Sequence, residues 1–190
     1  MGFWFGVAFL IACGLGVPVF RKLAHASMLQ RLGWDGASVI PSTWGLSGLR
    51  VKRPRWEGEV AFEPAGVGGG GRRGHLRLVA SLGRKTPSFA VSEKGRRDDA
   101  AATEPAVATG DAAFDARLSV RGDADFIRRL LDAPQRERLL RLHDAGGCFR
   151  GLSGGVAELD GPLPAGAADL KGFLDQCDAI LDAMAGAVVS

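Results

Sequence analysis

The sequence predicts an α+β fold: a single N-terminal transmembrane helix, then a small domain in which an antiparallel sheet of about five or six strands packs on C-terminal helices. Three observations carry this. Residues 2–20 contain no charged side chain. Short period-two runs, many bounded by glycine, fill residues 49–121, the pattern of half-buried antiparallel strands. From Asp123 onward, apolar residues recur mostly at helical spacing.

Length and composition bound the answer. A chain of 190 residues has room for one domain and an appendage. Its 46% apolar and 24% charged content suits a globular chain and argues against wholesale disorder. Three cysteines exclude a disulfide-stapled scaffold. Tyrosine is absent and arginine outnumbers lysine 19 to 5, a bias that fits a GC-rich bacterial genome.

The segment GFWFGVAFLIACGLGVPVF, residues 2–20, spans about 28 Å as a helix at roughly 1.5 Å per residue. A hydrocarbon core is about 30 Å thick. Phe3, Trp4 and Phe5 mark one interface, and Arg21 and Lys22 follow the other end. No Lys or Arg precedes the span, whereas Arg21, Lys22 and Arg31 lie just after it. The positive-inside rule then sets a single-pass anchor in a bacterial inner membrane with the remaining chain in the cytoplasm. A cleaved signal peptide fits less well, for want of a basic n-region. Leu10-Ile11-Ala12-Cys13 resembles a lipobox, which makes a lipoprotein anchored at Cys13 the main alternative. Ala8, Ala12 and Gly16 recur every four residues, spacing that lets two membrane helices approach closely and form a homodimer. Such patterns are also common without pairing.

The anchor takes residues 1–22, a juxtamembrane helix and linker 23–48, and the α+β domain 49–190. Leu23, Met28, Leu29 and Leu32 give the juxtamembrane helix an apolar stripe, and residues 35–48 are rich in Gly and Ser. Strands are expected at 49–55, at 60–62 after a Glu57-Gly58 turn, and at 75–82, 89–91 and 117–121. Gly68 to Gly71 reads as a flexible hairpin tip; no Gly-Lys-Ser/Thr ending makes it a phosphate loop. Residues 94–106 read as an exposed loop.

Asp123 is the expected N-cap of a helix over 124–131, and Pro134 opens a second helix that Gly146-Gly147 ends. Residues 148–151 and 156–160 form a hairpin around Ser153-Gly154-Gly155. A last helix over 167–188 buries Leu170, Phe173, Leu174, Cys177, Ile180, Leu181 and Met184.

Charge divides the chain. Residues 21–97 carry 15 Lys+Arg against 5 Asp+Glu, and residues 98–190 carry 9 against 16. The basic half adjoins the membrane, where an anionic leaflet attracts Lys and Arg by about 1 kcal/mol each. Its densest group, Arg50, Lys52, Arg53 and Arg55, is a weak candidate for anionic lipid or another polyanion. Trp56 is the only aromatic beside it, too little for a nucleic-acid stacking platform. A solvated basic surface that helps fix topology is the simpler reading of the group.

Catalytic constellations are thin. Gly151-Leu152-Ser153-Gly154-Gly155 fits G-x-S-x-G, but a strand follows where a helix is needed and no histidine lies beyond His143. His25, His75 and His143 sit in different elements, without ligand spacing, so no metal and no cofactor is expected. In Thr109-Gly110-Asp111-Ala112-Ala113-Phe114-Asp115, Asp111 can cap a turn and Phe114 can plug the core. Asp111 and Asp115 alone are a poor cage for a cation.

TGDAAFDARLSVRGD, with the two helices and Gly-rich hairpin after it, resembles the C-terminal part of uncharacterised bacterial membrane-anchored proteins. The matching positions are Thr109, Gly110, Asp111, Phe114, Asp115, Val120, Gly122, Leu130, Leu131, Arg138, Leu139 and Leu140, within roughly residues 107–160. The resemblance implies the architecture and no activity. The expected role is a membrane-tethered, non-catalytic interaction or scaffold module with an unknown protein partner. Anionic-lipid binding through residues 21–97 is the alternative; an unrecognised hydrolase, gathering Asp111, Asp115 and His75, ranks below it.

Overall fold

A computed structural model describes residues 33, 36–42, 45–63, 74–96, 104–163 and 167–189. The expected anchor at 2–20, with Cys13 and the Ala8, Ala12, Gly16 face, lies outside them. So do the juxtamembrane helix, the Gly68 to Gly71 tip and most of the 94–106 loop. Among the described residues no helix is long and apolar enough to cross a membrane.

The chain is α+β. Its strands are β1 (Ala37–Ser42), β2 (Gly45–Lys52), β3 (Glu57–Glu63), β4 (His75–Ser81), β5 (Phe89–Glu93), β6 (Leu118–Gly122), β7 (Cys148–Ser153) and β8 (Val156–Pro162). They form one sheet in the order β1-β2-β3-β4-β8-β7-β5-β6, and every neighbouring pair is antiparallel. The helices are α1 (Ala112–Arg117), α2 (Ala124–Leu130), α3 (Ala133–Asp144) and α4 (Ala167–Val189).

Eight strands replace the expected five or six. The segment 35–48, expected as a linker, carries β1 and the start of β2. Pro41 sits where the β1–β2 register shifts, and Ala37, Ser38 and Ser42 are small, so the segment lacks a clean alternation. As an edge strand it tolerates both. The hairpin of β7 and β8 inserts between β4 and β5 rather than standing apart. The expected Glu57-Gly58 turn falls earlier, at 53–56, closed by the Arg53 N–H on the Trp56 carbonyl at 2.8 Å. Glu57 and Gly58 already pair in β3.

Strand alternation separates the two faces. Leu49, Val51, Val60, Leu76, Leu78, Ala157 and Leu159 are all fully buried on one face. The helices cover that face. Every residue of the expected α4 stripe is buried, and Gln135 of α3 donates from Nε2 to the Ile180 carbonyl at 3.0 Å. Gly161 of β8 gives the Phe173 ring of α4 its seat, because a Cβ there would strike the ring. Asp123 caps α2, and Asp132 caps α3 ahead of Pro134.

Among the described residues, no helix lies on the other face. It carries mostly polar and small side chains from β2 to β7, with Arg50, Glu59, Arg77, Glu158 and Arg150 all exposed and Val79 and Val156 among them.

Candidate functional site

The helix-free face holds a charged cluster at its centre. Asp160 of β8 faces Arg77 of β4 on one side and Cys148 of β7 on the other. Its side chain is only 4% exposed, yet it receives three basic groups. His75 Nε2 lies 3.4 Å from Oδ1, Arg77 Nε lies 3.3 Å from Oδ1, and Arg150 Nε lies 2.5 Å from Oδ2. Those three side chains are 40%, 49% and 43% exposed. A buried carboxylate therefore anchors two guanidiniums and an imidazole that reach into solvent. Withdrawing a carboxylate from water costs several kcal/mol, which such pairing must offset.

Local backbone builds the ring. His75 and Arg77 are two apart on β4, so they share a face. A register shift between Phe149 and Gly151 inserts Arg150 as the extra residue of a bulge. Alternation after the buried Phe149 already turns Arg150 to the helix-free face, and the bulge sets Gly151 on that face beside it, opposite Glu158. Burial pushes the Cys148 thiol up, with the carboxylates of Asp160 and Glu93 adding to this and Arg150 and Arg96 opposing it.

Beside the ring lies a cleft of about 790 Å³. Ala90, Gly151 and Val156 line it from the sheet, and Pro105, Ala106 and Val107 from the segment beyond β6. That segment is held where the Val107 N–H meets the Val120 carbonyl at 2.7 Å and Arg121 meets the Glu104 carbonyl. Arg150 and Glu158 line the cleft on the side of the Asp160 ring. Val156, at 39% exposed, is the one exposed large apolar side chain among the described residues.

The residues singled out from sequence fall elsewhere. Arg50 pairs with Glu59 at 2.6 Å, Arg53 with Asp178 at 3.3 Å and Arg55 with Asp182 at 3.4 Å. Lys52 is exposed. Carboxylates of β3 and α4 thus answer most of that basic group.

Asp111 caps α1, accepting from the N–H groups of Ala113 and Phe114 at 3.1 Å each, and takes Arg136 Nε at 3.2 Å. The Phe114 N–H, then Arg136 and the Ala113 N–H, hold its carboxyl below the usual aspartate value against some opposing burial. Asp115 accepts from Thr109 Oγ1 at 2.8 Å, and Phe114 is fully buried. Sequence suggested a turn here; Asp111 instead starts a six-residue helix.

Asp111, Asp115 and His75 do not converge, since His75 belongs to the Asp160 ring. Among the described residues, no three His, Cys, Asp or Glu side chains could hold a metal ion. Ser153 Oγ lies 3.1 Å from Ser88 Oγ. A strand follows Ser153, not the helix of a nucleophile elbow.

No family model, curated protein or solved structure matches this chain.

Proposed function

We propose that the chain is a membrane-tethered, non-catalytic interaction module whose helix-free sheet face meets its partner. The span of residues 2–20 tethers it to a bacterial inner membrane, and the basic residues after the span hold the domain on the cytoplasmic side. One observation carries the reading. Helices cover one face of an eight-stranded sheet, while the other keeps a charged ring and a cleft that contains the exposed Val156. Binding sites concentrate in such concave regions, where apolar lining meets a few placed polar groups.

Site-resolved cross-linking in intact cells tests it. A photoreactive residue replaces Val156 in the cleft of the full chain, or Ala133 at the exposed start of α3. Adducts of defined mass from position 156 and none from 133 support the reading. Adducts from position 133 alone contradict it.

The second reading is attraction of the basic half to anionic lipid, supported by its excess of ten positive charges next to the span. Flotation of residues 21–190 with vesicles tests this. Binding that needs anionic lipid, falls with salt and weakens in Lys52→Ala supports it. Absence of binding at any salt concentration rejects it.

A further inference from the structure

We infer that the end of the sheet where the chain enters the domain lies against the bilayer, docking on anionic headgroups through Lys52, Arg84, Lys85 and Arg129. The inference rests on the second reading above and gives it residues and an orientation.

Several segments meet at this end. The chain enters at Gly36, whose carbonyl accepts the Lys52 N–H at 3.1 Å. The β2–β3 turn lies beside that contact. The loop from β4 to β5 carries Arg84 and Lys85 and is tied to the tip of the β7–β8 hairpin. There the Leu82 N–H meets the Gly155 carbonyl at 2.8 Å, and the Gly155 N–H meets Thr86 Oγ1 at 3.1 Å. Lys85 and Arg129 of α2 line one hollow with Ala187 and Val188 from the last turn of α4.

The charges here do not cancel. Arg53, Arg55 and Arg128 are answered by Asp178, Asp182 and Asp125. Lys52, Arg84, Lys85 and Arg129 are exposed, and among the described residues none of them forms an ion pair. Against them stand Glu57, opposite Lys52 in register, and Asp123, whose carboxylate caps α2. The carbonyl end of α4 adds a partial negative charge, with no basic residue in its last turn. The four cations outnumber these. Glu158 and the Arg50–Glu59 pair lie further in, on the helix-free face.

The tether points the same way. Residues 21–35 join the span to Gly36, a reach of at most about 50 Å, and carry Arg21, Lys22 and Arg31 against Asp35. So short a link keeps this end at high local concentration beside the headgroups. Each Lys or Arg at an anionic surface shifts the balance about fivefold.

Lysine footprinting of the full chain in nanodiscs tests the orientation. Lys52 and Lys85 lie at this end; Lys94, just past β5, and Lys171, near the start of α4, lie at the other. Acetylation rates at each are read by mass spectrometry in phosphatidylcholine discs, with and without phosphatidylglycerol. The expected result is a slowing of Lys52 and Lys85 by about threefold or more with the anionic lipid, reversed by salt, while Lys94 and Lys171 keep their rates. Arg84→Glu should return Lys85 to near its rate in neutral discs, and Arg129→Glu serves as the second variant if the first disturbs the loop. No slowing at Lys52 or Lys85, equal slowing at all four lysines, or slowing that ignores the variants overturns the inference. Flotation that needs anionic lipid alongside such a result would keep the second reading and remove only this orientation.

Discussion

Trp56 donates from its indole Nε1 to Asp178 Oδ1 at 3.1 Å, across 122 residues of chain. The bond ties the β2–β3 turn to α4, and Arg53 meets the other carboxylate oxygen of Asp178. The strand half and the C-terminal helix are thereby locked together at one end of the sheet. The indole is 3% exposed, so its N–H depends on this acceptor.

Asp178→Ala should therefore destabilise the domain by about 1–3 kcal/mol, the cost of a buried donor left unsatisfied. Asp178→Asn keeps an acceptor and should cost less. Urea denaturation followed by Trp fluorescence measures both, and equal losses would discount the indole bond.

Helix α4 closes the core, with its stripe buried along the whole length. Leu174→Ala should cost about 2–5 kcal/mol, the range for a large-to-small change in a packed core. Removing residues 167–190 should abolish cooperative unfolding. A cooperative thermal melt that survives the deletion would recast α4 as a partner-docking element.

The Gly155 backbone has φ +91°, and a Cβ there would collide with the Arg84 carbonyl oxygen. Gly155→Ala should cost about 1–3 kcal/mol from backbone strain alone. Ser153→Ala, at the same hairpin, should leave the melting temperature nearly unchanged. Labelling of Ser153 by a fluorophosphonate probe would contradict a purely structural hairpin.

Asp111 is held below the ordinary aspartate value of 3.8 by the Phe114 N–H and by Arg136. A depressed folded-state value stabilises the domain above the unfolded value. That contribution fades as pH falls from about 3.8 through the lower folded value. Asp111→Asn should flatten this part of the stability profile while keeping a capping oxygen. An unchanged acid limb in the variant would show that Asp111 carries no part of it.

Burial pushes the Cys177 thiol strongly up and the Cys148 thiol up less completely. The thiolate is the reactive form. Iodoacetamide at mildly alkaline pH should modify Cys148 slowly and Cys177 only after unfolding, as peptide mapping would show. Rapid labelling of Cys177 in the folded chain would mean that α4 opens.

Local signals in the sequence gave away much of the architecture. The Asp123 cap, the α4 stripe, the alternation of β4 and the Gly154-Gly155 hairpin are local patterns, and each lies close to its expected position. β1 was hidden because Pro41 and the small Ala37, Ser38 and Ser42 mask alternation. The helix α1 was hidden because six residues are too few to show a period.

The Asp160 ring was not legible for a different reason. His75 and Arg77 look like the ordinary polar face of a strand, and Arg150 and Asp160 like hairpin charges. Only the pairing of β8 with β4 and with β7 brings them together. That register is a long-range outcome of packing and has no local signature. The same holds for Arg53 and Arg55, whose partners Asp178 and Asp182 lie more than a hundred residues away.

The central claim is a domain held at the cytoplasmic face of a membrane, and topology tests it most directly. A C-terminal tag on the full chain is exposed to protease in intact spheroplasts, with a lysed control and an alkaline carbonate wash of the membranes. The account predicts a protected tag, cleaved only after lysis, on a chain that stays in the washed membrane pellet. A tag cleaved in intact spheroplasts would contradict the orientation and favour lipidation at Cys13, and a chain released by the wash would remove the tether.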